Sequence, residues 1–150
     1  MYLRRYRNSD LDKIIRLFKE TVENVNSRDY TAAQIKAWTT SETDFKDWDR
    51  SLSEHYCVVA IEDGVLVGFG DISKSAYLDR LYVHHNYQNR GIGTALCEEL
   101  EKNTEGNIET HASITAKIFF ENRGYKVLKE QKVLRNGIYL KNYVMIKTRK

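Results

Sequence analysis

The chain has 150 residues, of which 41% are hydrophobic and 30% are charged, and its formal net charge at pH 7 is +3. A chain of this length can bury enough apolar surface for one ordinary domain, and its composition argues against the disordered, collagenous and membrane-spanning classes. The 24 basic and 21 acidic residues are spread along the whole chain, so the charge balance does not favour nucleic acid as a partner.

The first third of the chain predicts one strand followed by three helices. The strand spans Tyr2 to Tyr6, and apolar residues then recur at helical spacing from Leu11 to Val25. Three capping patterns mark the three helix starts: Ser9-x-x-Asp12, Thr31-x-x-Gln34 and Ser41-x-x-Asp44. Because aromatic residues at helical spacing usually belong to a core, Trp38 and Trp48 are interpreted as core residues.

The pattern then changes to strands. Three strands are predicted at 56–61, 65–72 and 76–83, and Asp63-Gly64 forms a hairpin turn between the first two. The helical period returns after Gly91, and residues 107–111 form another strand.

The end of the chain predicts a short helix and a hairpin. Ser113 caps the helix, and Gly124 closes it in a left-handed conformation. Asn136-Gly137 joins strands at 126–134 and 138–145. The order β-α-α-α-β-β-β-α-β-α-β-β predicts an α+β fold with a mostly antiparallel sheet. No repeat or linker interrupts it, so we expect one domain over residues 1–150.

The segment from Leu81 to Leu96 carries the chemical information. A strand runs into a turn, and Gly91 and Gly93 then open a helix. Glycines let main-chain N–H groups approach a ligand, and the first turn of a helix has unpaired donors and the positive end of its dipole. Gln88 and Arg90 add a neutral donor and a positive charge, which suits a diphosphate. The same glycines are also explained by a tight strand-to-helix turn.

The motif Gln88-x-x-Gly91-x-Gly93 resembles the Gln/Arg-x-x-Gly-x-Gly/Ala motif of the GNAT N-acetyltransferase superfamily. A second block, from Ala116 to Tyr125, is similar to the family's Ala-x-x-Phe-Tyr-x-x-x-Gly-Phe helix. Residues 29–38 and 112–117 resemble its bacterial YafP-like branch. The resemblance implies the GNAT (acyl-CoA N-acyltransferase) fold, with a mixed, mostly antiparallel sheet of about seven strands flanked by helices.

The resemblance also implies acetyl-CoA as the cosubstrate and no metal. Main-chain N–H groups from Asn89 to Thr94 would bind the pyrophosphate, and the pantetheine arm would pair with the main chain of the fourth strand where that strand splays from the fifth. The implied cofactor-binding residues are Leu81, Tyr82, Val83, Gln88, Asn89, Arg90, Gly91, Ile92, Gly93, Thr94, Ser113 and Phe120.

Amine attack on a thioester needs a proton acceptor, an oxyanion donor and a proton for the leaving thiolate. Asp79 resembles the family's acidic position and is the preferred base, although a salt bridge with Arg80 or Lys74 explains it equally well. The Val83 N–H is the implied oxyanion donor. Phe120 occupies the position of the tyrosine that commonly acts as the general acid in this family. Tyr143 is therefore the preferred acid, and the alternatives are Tyr139, Ser113 and solvent. His111 is an alternative base.

These features predict an acetyl-CoA-dependent N-acetyltransferase that acts on a primary amine by direct attack. The alternative is a non-catalytic CoA-binding regulatory module. A small-molecule or peptide amine is the expected partner, attracted by acidic groups such as Glu20, Glu23 or Asp29, and the protein is expected to be a monomer or homodimer.

No apolar run approaches the roughly 18 residues that cross a bilayer, and residues 1–7 lack the apolar segment of a secretory signal. Cys57 and Cys97 have no partner at metal-ligand spacing. A cytoplasmic protein with reduced core thiols is therefore expected.

Overall fold

The computed structural model describes residues 1–41 and 45–150, and within them the element order agrees with the sequence prediction. The strands are β1 (Tyr2–Arg5), β2 (Tyr56–Glu62), β3 (Val65–Ile72), β4 (Tyr77–Val83), β5 (Ile108–Ser113), β6 (Lys126–Arg135) and β7 (Ile138–Lys147). The helices are α1 (Leu11–Asn24), α2 (Ala32–Ser41), α3 (Phe45–Glu54), α4 (Ile92–Lys102) and α5 (Lys117–Asn122). None of the described helices is both long and apolar enough to span a membrane.

The strands form one mixed sheet in the order β1-β2-β3-β4-β5-β7-β6. Neighbouring strands are antiparallel except β4 and β5, which are parallel because α4 crosses over between them. The Asp63-Gly64 and Asn136-Gly137 turns take positive φ angles, as the hairpin prediction requires. The predicted fold class is confirmed.

The sheet has a core on each face. The helices α1, α2 and α3 cover one face, where Phe18, Trp48 and Phe69 pack together. The other face is covered by α4 and α5, and Leu96 and Phe120 are buried there.

The predicted helix caps have different outcomes. The Thr31 pattern is confirmed, since Thr31 N donates to Gln34 Oε1 at 2.9 Å and Gln34 N donates to Thr31 Oγ1 at 3.1 Å. The Ser9 pattern is wrong, because a 3-10 turn over Asn8–Asp10 precedes α1, and the Asp10 carboxylate accepts from Arg7 N and Arg4. The pattern from Ser41 to Asp44 falls on residues 42–44, outside the described residues.

The cap at Ser113 lies before the helix that it was expected to begin. Its Oγ accepts from Ala116 N at 3.1 Å, within a turn that leads to α5 at Lys117. Gly124 closes α5 with φ 93°, as predicted.

Candidate active site

A tight loop joins β4 to α4. His84 Nδ1 accepts from Asn86 N at 3.0 Å and holds a one-turn 3-10 helix at the start of the loop. Asn89 and Gly91 then take left-handed backbone conformations, with φ angles of 61° and 82°. A Cβ atom at Gly91 would meet nothing within 4 Å, so the space beside the start of α4 is open.

The N–H groups from Gln88 to Thr94 face no protein acceptor. Within residues 1–41 and 45–150, none of them donates a hydrogen bond, and the first donor of the segment is Ala95 N, which bonds Gly91 O at 3.0 Å. Unpaired donors at the positive end of a helix dipole attract anions. The loop therefore offers the main-chain donors that a diphosphate would need.

Beside this loop, β4 and β5 separate. They pair at Tyr77 with Glu109 and at Leu78 with Thr110, and Thr110 Oγ1 donates to Leu78 O at 2.8 Å. The register of β3 against β4 then skips Asp79, which forms a β-bulge. Further along β4, within the described chain, no residue pairs with β5.

The main chain of β4 alternates between its two neighbours. His84 N donates to Val67 O, and hydrogen bonding alternates along an antiparallel ladder. The main-chain N–H and C=O groups of Tyr82 therefore point toward β3, and those of Leu81 and Val83 point toward the gap. Tyr82 was expected to help bind the cofactor, and this expectation is wrong for its main chain, which faces Phe69. Leu81 and Val83 remain the residues whose main-chain groups face the gap.

The carbonyl of Val83 is already occupied. Gln88 Nε2 donates to Val83 O at 2.7 Å, and Thr21 Oγ1 donates to the same atom at 3.2 Å. The Gln88 side chain was expected to face a diphosphate, but it forms a hydrogen bond between the loop and β4 instead. The Val83 N–H is the group that is left to act on a ligand.

Phe120 does not offer a surface to a ligand. Its side chain is 3% exposed, and its ring packs at 5.2 Å from Phe119 and 5.0 Å from Tyr125. Phe119 is the residue beside the loop, since its ring lies 3.4 Å from where a Cβ of Gly93 would stand. The expectation of a contact between Phe120 and the cofactor is corrected, because the ring at 120 is turned into the core.

Arg90 carries its charge at the surface of the loop. Its side chain is exposed, its Nη1 lies 3.6 Å from Glu62 Oε2, and its guanidinium lies 5.0 Å from the centre of the Tyr87 ring. The side chain of Ile92 is buried in the core, so only the N–H of this residue faces the anion site.

On the other face of the sheet, a cavity of about 150 Å³ opens beside the same part of β4. It is lined by the aromatic side chains of Phe18, Tyr30, Trp38, Trp48, Tyr77 and Tyr82. Its charged and titratable lining residues are Asp79, Arg80, His111, Arg135 and Lys141. The first three helices each contribute one aromatic side chain to this wall, namely Phe18, Trp38 and Trp48.

The acidic residues expected to attract an amine do not line the cavity. Glu20 Oε2 lies 3.6 Å from His84 Nε2, and Asp29 Oδ2 accepts from Thr115 Oγ1 at 2.8 Å. Glu20, Glu23 and Asp29 are not among the lining residues, so their attraction of an amine stays a prediction and would act from outside the cavity. The carboxylate in the cavity is that of Asp79.

Asp79 lies in a network of charged residues. Arg80 Nη1 is 3.6 Å from Asp79 Oδ2 and 2.5 Å from Asp71 Oδ2. His55 Nδ1 is 2.8 Å from the same Asp71 oxygen, and this hydrogen bond raises the pKa of His55. The salt bridge considered for Asp79 is therefore present, with Arg80. A carboxylate in the apolar strand β3 was the available sequence signal for this network.

The remaining candidate side chains are divided between the two faces. His111 Nε2 pairs with Glu109 Oε2 at 2.9 Å and lines the cavity with Ser113, whose Oγ accepts from Ala116 N. Tyr143 instead packs in the core under α4 and α5, with Lys117 Nζ 5.3 Å from the centre of its ring. Tyr139 is exposed. Tyr143 is half-buried and is not among the residues that form the cavity wall beside Asp79.

Among the described residues, two clusters bring histidine and carboxylate atoms within 4.8 Å of one another. In the first, Asp71 and Asp79 already contact the guanidinium of Arg80, and His55 contacts Asp71. In the second, His84 lies with Glu20 and His85, but its Nδ1 accepts from Asn86 N. A neutral histidine that accepts at Nδ1 carries its proton on Nε2, which is the wrong form for a metal ligand there.

The chain is similar to known proteins in sequence and in fold. The family model described as "Acetyltransferase (GNAT) domain" matches residues 26–147. The N-acetyltransferase YafP of Escherichia coli K12 is 35% identical over 144 residues, which cover 95% of this chain and 93% of YafP. The chain belongs to the GNAT acetyltransferase family.

Solved structures of GNAT proteins agree. A GCN5-related N-acetyltransferase from Rhodopseudomonas palustris is 32% identical, with a TM-score of 0.95 over 99% of this chain and 95% of that one. The PaiA N-acetyltransferase of Thermoplasma acidophilum, solved with coenzyme A, has the same fold, with a TM-score of 0.80, 18% identity and coverage of 99% and 98%. The predicted family, fold and acetyltransferase activity are confirmed.

Proposed function

We propose that this GNAT protein transfers an acetyl group from acetyl-CoA to a primary amine, with residues 1–150 acting as a single N-acetyltransferase domain. One observation carries the proposal: the bare N–H groups at the start of α4 lie next to the gap between β4 and β5. A thioester donor held there can reach the cavity on the opposite face through the sheet. Coenzyme A bound to the Thermoplasma relative supports this choice of donor.

The donor would be held mainly by main-chain groups. The N–H groups from Asn89 to Thr94 bind the diphosphate, and Gly93 keeps a side chain away from the helix start. The pantetheine arm pairs with the main chain of Leu81 and Val83 as an added strand would. Gln88 serves this site by fixing the loop to β4.

The acceptor amine would enter the aromatic cavity. Asp79 receives the proton that the amine nitrogen loses as it attacks the thioester carbon, and the Val83 N–H stabilises the oxygen that becomes negative. The C–S bond then breaks, and the thiolate takes up a proton. Tyr143, which lies on the α4 and α5 face, is the protein group proposed to supply that proton, in place of the tyrosine that Phe120 replaces.

An assay of thiol release from acetyl-CoA against a panel of primary amines tests this function. We expect Asp79→Asn to lower kcat/KM about 100-fold, the usual effect of removing a general base. Asp12→Asn, on the exposed surface of α1, is the matched control and should behave as wild type. If no amine releases thiol under conditions where coenzyme A binds, the catalytic proposal fails.

One observation favours a second candidate function, that of a CoA-binding regulatory module. The position of the family's tyrosine is held by Phe120, which lacks a hydroxyl and is buried. Binding of coenzyme A without thiol release in the same panel would support this candidate.

The acceptor is proposed to be a small-molecule or peptide amine, used by a monomer or homodimer. A cytoplasmic location fits the two cysteines, since Cys57 and Cys97 are both free and buried. Burial raises the pKa of Cys97 to about 11, so this thiol stays protonated and unreactive.

A further inference from the structure

Four charged side chains form a continuous cluster from the end of α3 to the cavity. His55 contacts Asp71, Asp71 contacts Arg80, and Arg80 contacts Asp79, at 2.8, 2.5 and 3.6 Å. A ring nitrogen of His55 and a carboxylate oxygen from each of Asp71 and Asp79 all lie within 4.8 Å of one another. We refer to these four residues as the charge cluster.

The charge cluster is anchored away from solvent. Asp71 is fully buried, and its Oδ1 has no hydrogen-bond partner among the described residues. Arg80 is held in place by Ser51 Oγ at 3.1 Å and by the Trp48 ring, whose centre lies 4.7 Å from the guanidinium carbon. These contacts hold the Arg80 guanidinium between the carboxylates of Asp71 and Asp79, so that both interact with the same positive charge.

The sum of charges in this cluster depends on His55. With His55 protonated, two cations face two carboxylates and the sum is zero. With His55 neutral, the four side chains together carry one more negative charge, and the cluster attracts a proton more strongly. Asp79 is the member of the cluster that lines the cavity and also accepts a proton in the proposed reaction.

We propose that His55 and Asp71 are positioning residues that set the proton affinity of Asp79 through the shared guanidinium of Arg80. The inference rests on the proposed function for the role of Asp79, but the electrostatic coupling itself does not. Loss of the proton from His55 makes Asp79 a stronger proton acceptor, so the cluster favours amine deprotonation as the pH rises.

The thiol and the phenol that lie near the cluster stay neutral around pH 7. Cys57 on β2 and Tyr77 on β4 both face it, and burial raises the pKa of each, that of Tyr77 to about 12. His111, Arg135 and Lys141 line the cavity wall contributed by β5, β6 and β7. The pKa of His55 is raised above its ordinary value of 6.5, chiefly by the hydrogen bond to Asp71.

The coupling can be measured without knowing the acceptor. In protein labelled with 13C at the aspartate carboxyl carbons, the titration midpoint of Asp79 is followed by NMR in the wild type, His55→Gln and Asp71→Asn. Removing a nearby cation should raise the midpoint by about one pH unit, and removing a nearby carboxylate should lower it by a similar amount. His85→Gln, a histidine substitution outside the cluster, is the control and should leave the midpoint unchanged.

The result that overturns the inference is an Asp79 midpoint in His55→Gln equal to that of wild type, in protein that still gains thermal stability from coenzyme A. His55→Gln suffices if Asp71→Asn does not fold. Shifts in the expected directions without acetyl transfer to any amine would support the coupling and refute the proposed function. Acetyl transfer with an unchanged Asp79 midpoint would support the proposed function and refute the coupling.

A second readout uses an amine that the wild type acetylates. The rise of kcat with pH that follows His55 deprotonation should be lost in His55→Gln, while KM for acetyl-CoA stays within about twofold, since the donor site lies on the other face. A merely structural role for His55 would change kcat equally at every pH, which would contradict the inference.

Discussion

A carboxylate at position 91 should block the anion site without disturbing the fold around it. Gly91 has a φ angle of 82° and no neighbouring atom within 4 Å of a Cβ position, so the Cβ of Gly91→Asp meets no steric clash and the cost of the variant lies in the backbone conformation. A non-glycine residue in this conformation costs about 1 kcal/mol of stability. Gly91→Ala carries the same cost without the charge and is the matched control.

The expected effect on binding follows from the position of the new charge. A carboxylate about 5 Å from a phosphate, in the partly screened setting of a protein surface, would weaken binding by about 2 kcal/mol. This free energy corresponds to a dissociation constant about 30-fold larger. Gly91→Ala should change the dissociation constant by less than about threefold, because the N–H donors stay in place.

Thermal unfolding with and without coenzyme A measures this difference. At a concentration 100-fold above the wild-type dissociation constant, the ligand should add about 2.7 kcal/mol of stability, against about 0.9 kcal/mol for Gly91→Asp. For a chain of this length these values correspond to increases in Tm of roughly 5–10 °C and 2–3 °C. Equal increases in the Asp and Ala variants would refute an anion site at the start of α4.

Three further variants test the packing and electrostatics that support the site. Gly70→Ala should lower the free energy of unfolding by about 1–3 kcal/mol in urea titrations, because its Cβ would lie 2.9 Å from Leu100 Cδ1. Gln88→Leu should lose the hydrogen bond to Val83 O and weaken coenzyme A binding in calorimetry by about 1 kcal/mol, with a smaller effect on Tm than on binding. Glu101→Gln should lower stability by about 2 kcal/mol near pH 7. Burial alone would raise the pKa of Glu101, but hydrogen bonds from a tyrosine and two cations lower it. The stabilisation that these contacts give to the folded protein is therefore present above the unfolded pKa of about 4.3. It is lost as the pH falls through the lower pKa of the folded state. Wild-type stability should therefore fall more steeply than that of the variant between about pH 5 and pH 3.

The sequence predicts the main-chain geometry of the loop between β4 and α4, because that geometry follows from the preferences of single residues. The left-handed conformation at Gly91, the helix that begins at Ile92 and the Asp-Gly and Asn-Gly hairpin turns all follow from local conformational preference. Local patterns predict main-chain geometry wherever one residue type is needed for one conformation. The Thr31 capping box is confirmed for the same reason.

Contacts between distant segments are beyond such patterns. Gln88 and Thr21 meet at the carbonyl of Val83, and Thr21 is separated from that atom by 62 positions in the chain. Nothing local to Thr21 indicates this contact. The orientation of Phe120 likewise depends on Tyr125 and the end of α5, which turn position 120 into the core and leave Phe119 beside the loop.

The difference between the two faces explains why the binding site for the acetyl donor is easier to predict from sequence than the identity of the amine acceptor. Main-chain donors at a helix start recognise any diphosphate, so the same short motif can serve many enzymes. The acceptor cavity is lined by side chains from three helices and four strands, which are brought together only by the fold. Among the described lining residues the carboxylate is Asp79, and it contacts Arg80, which also pairs with the buried Asp71 of β3. Changes in the cavity lining can therefore alter the acceptor while the donor loop stays the same, and sequence similarity in the loop alone carries little information about the amine.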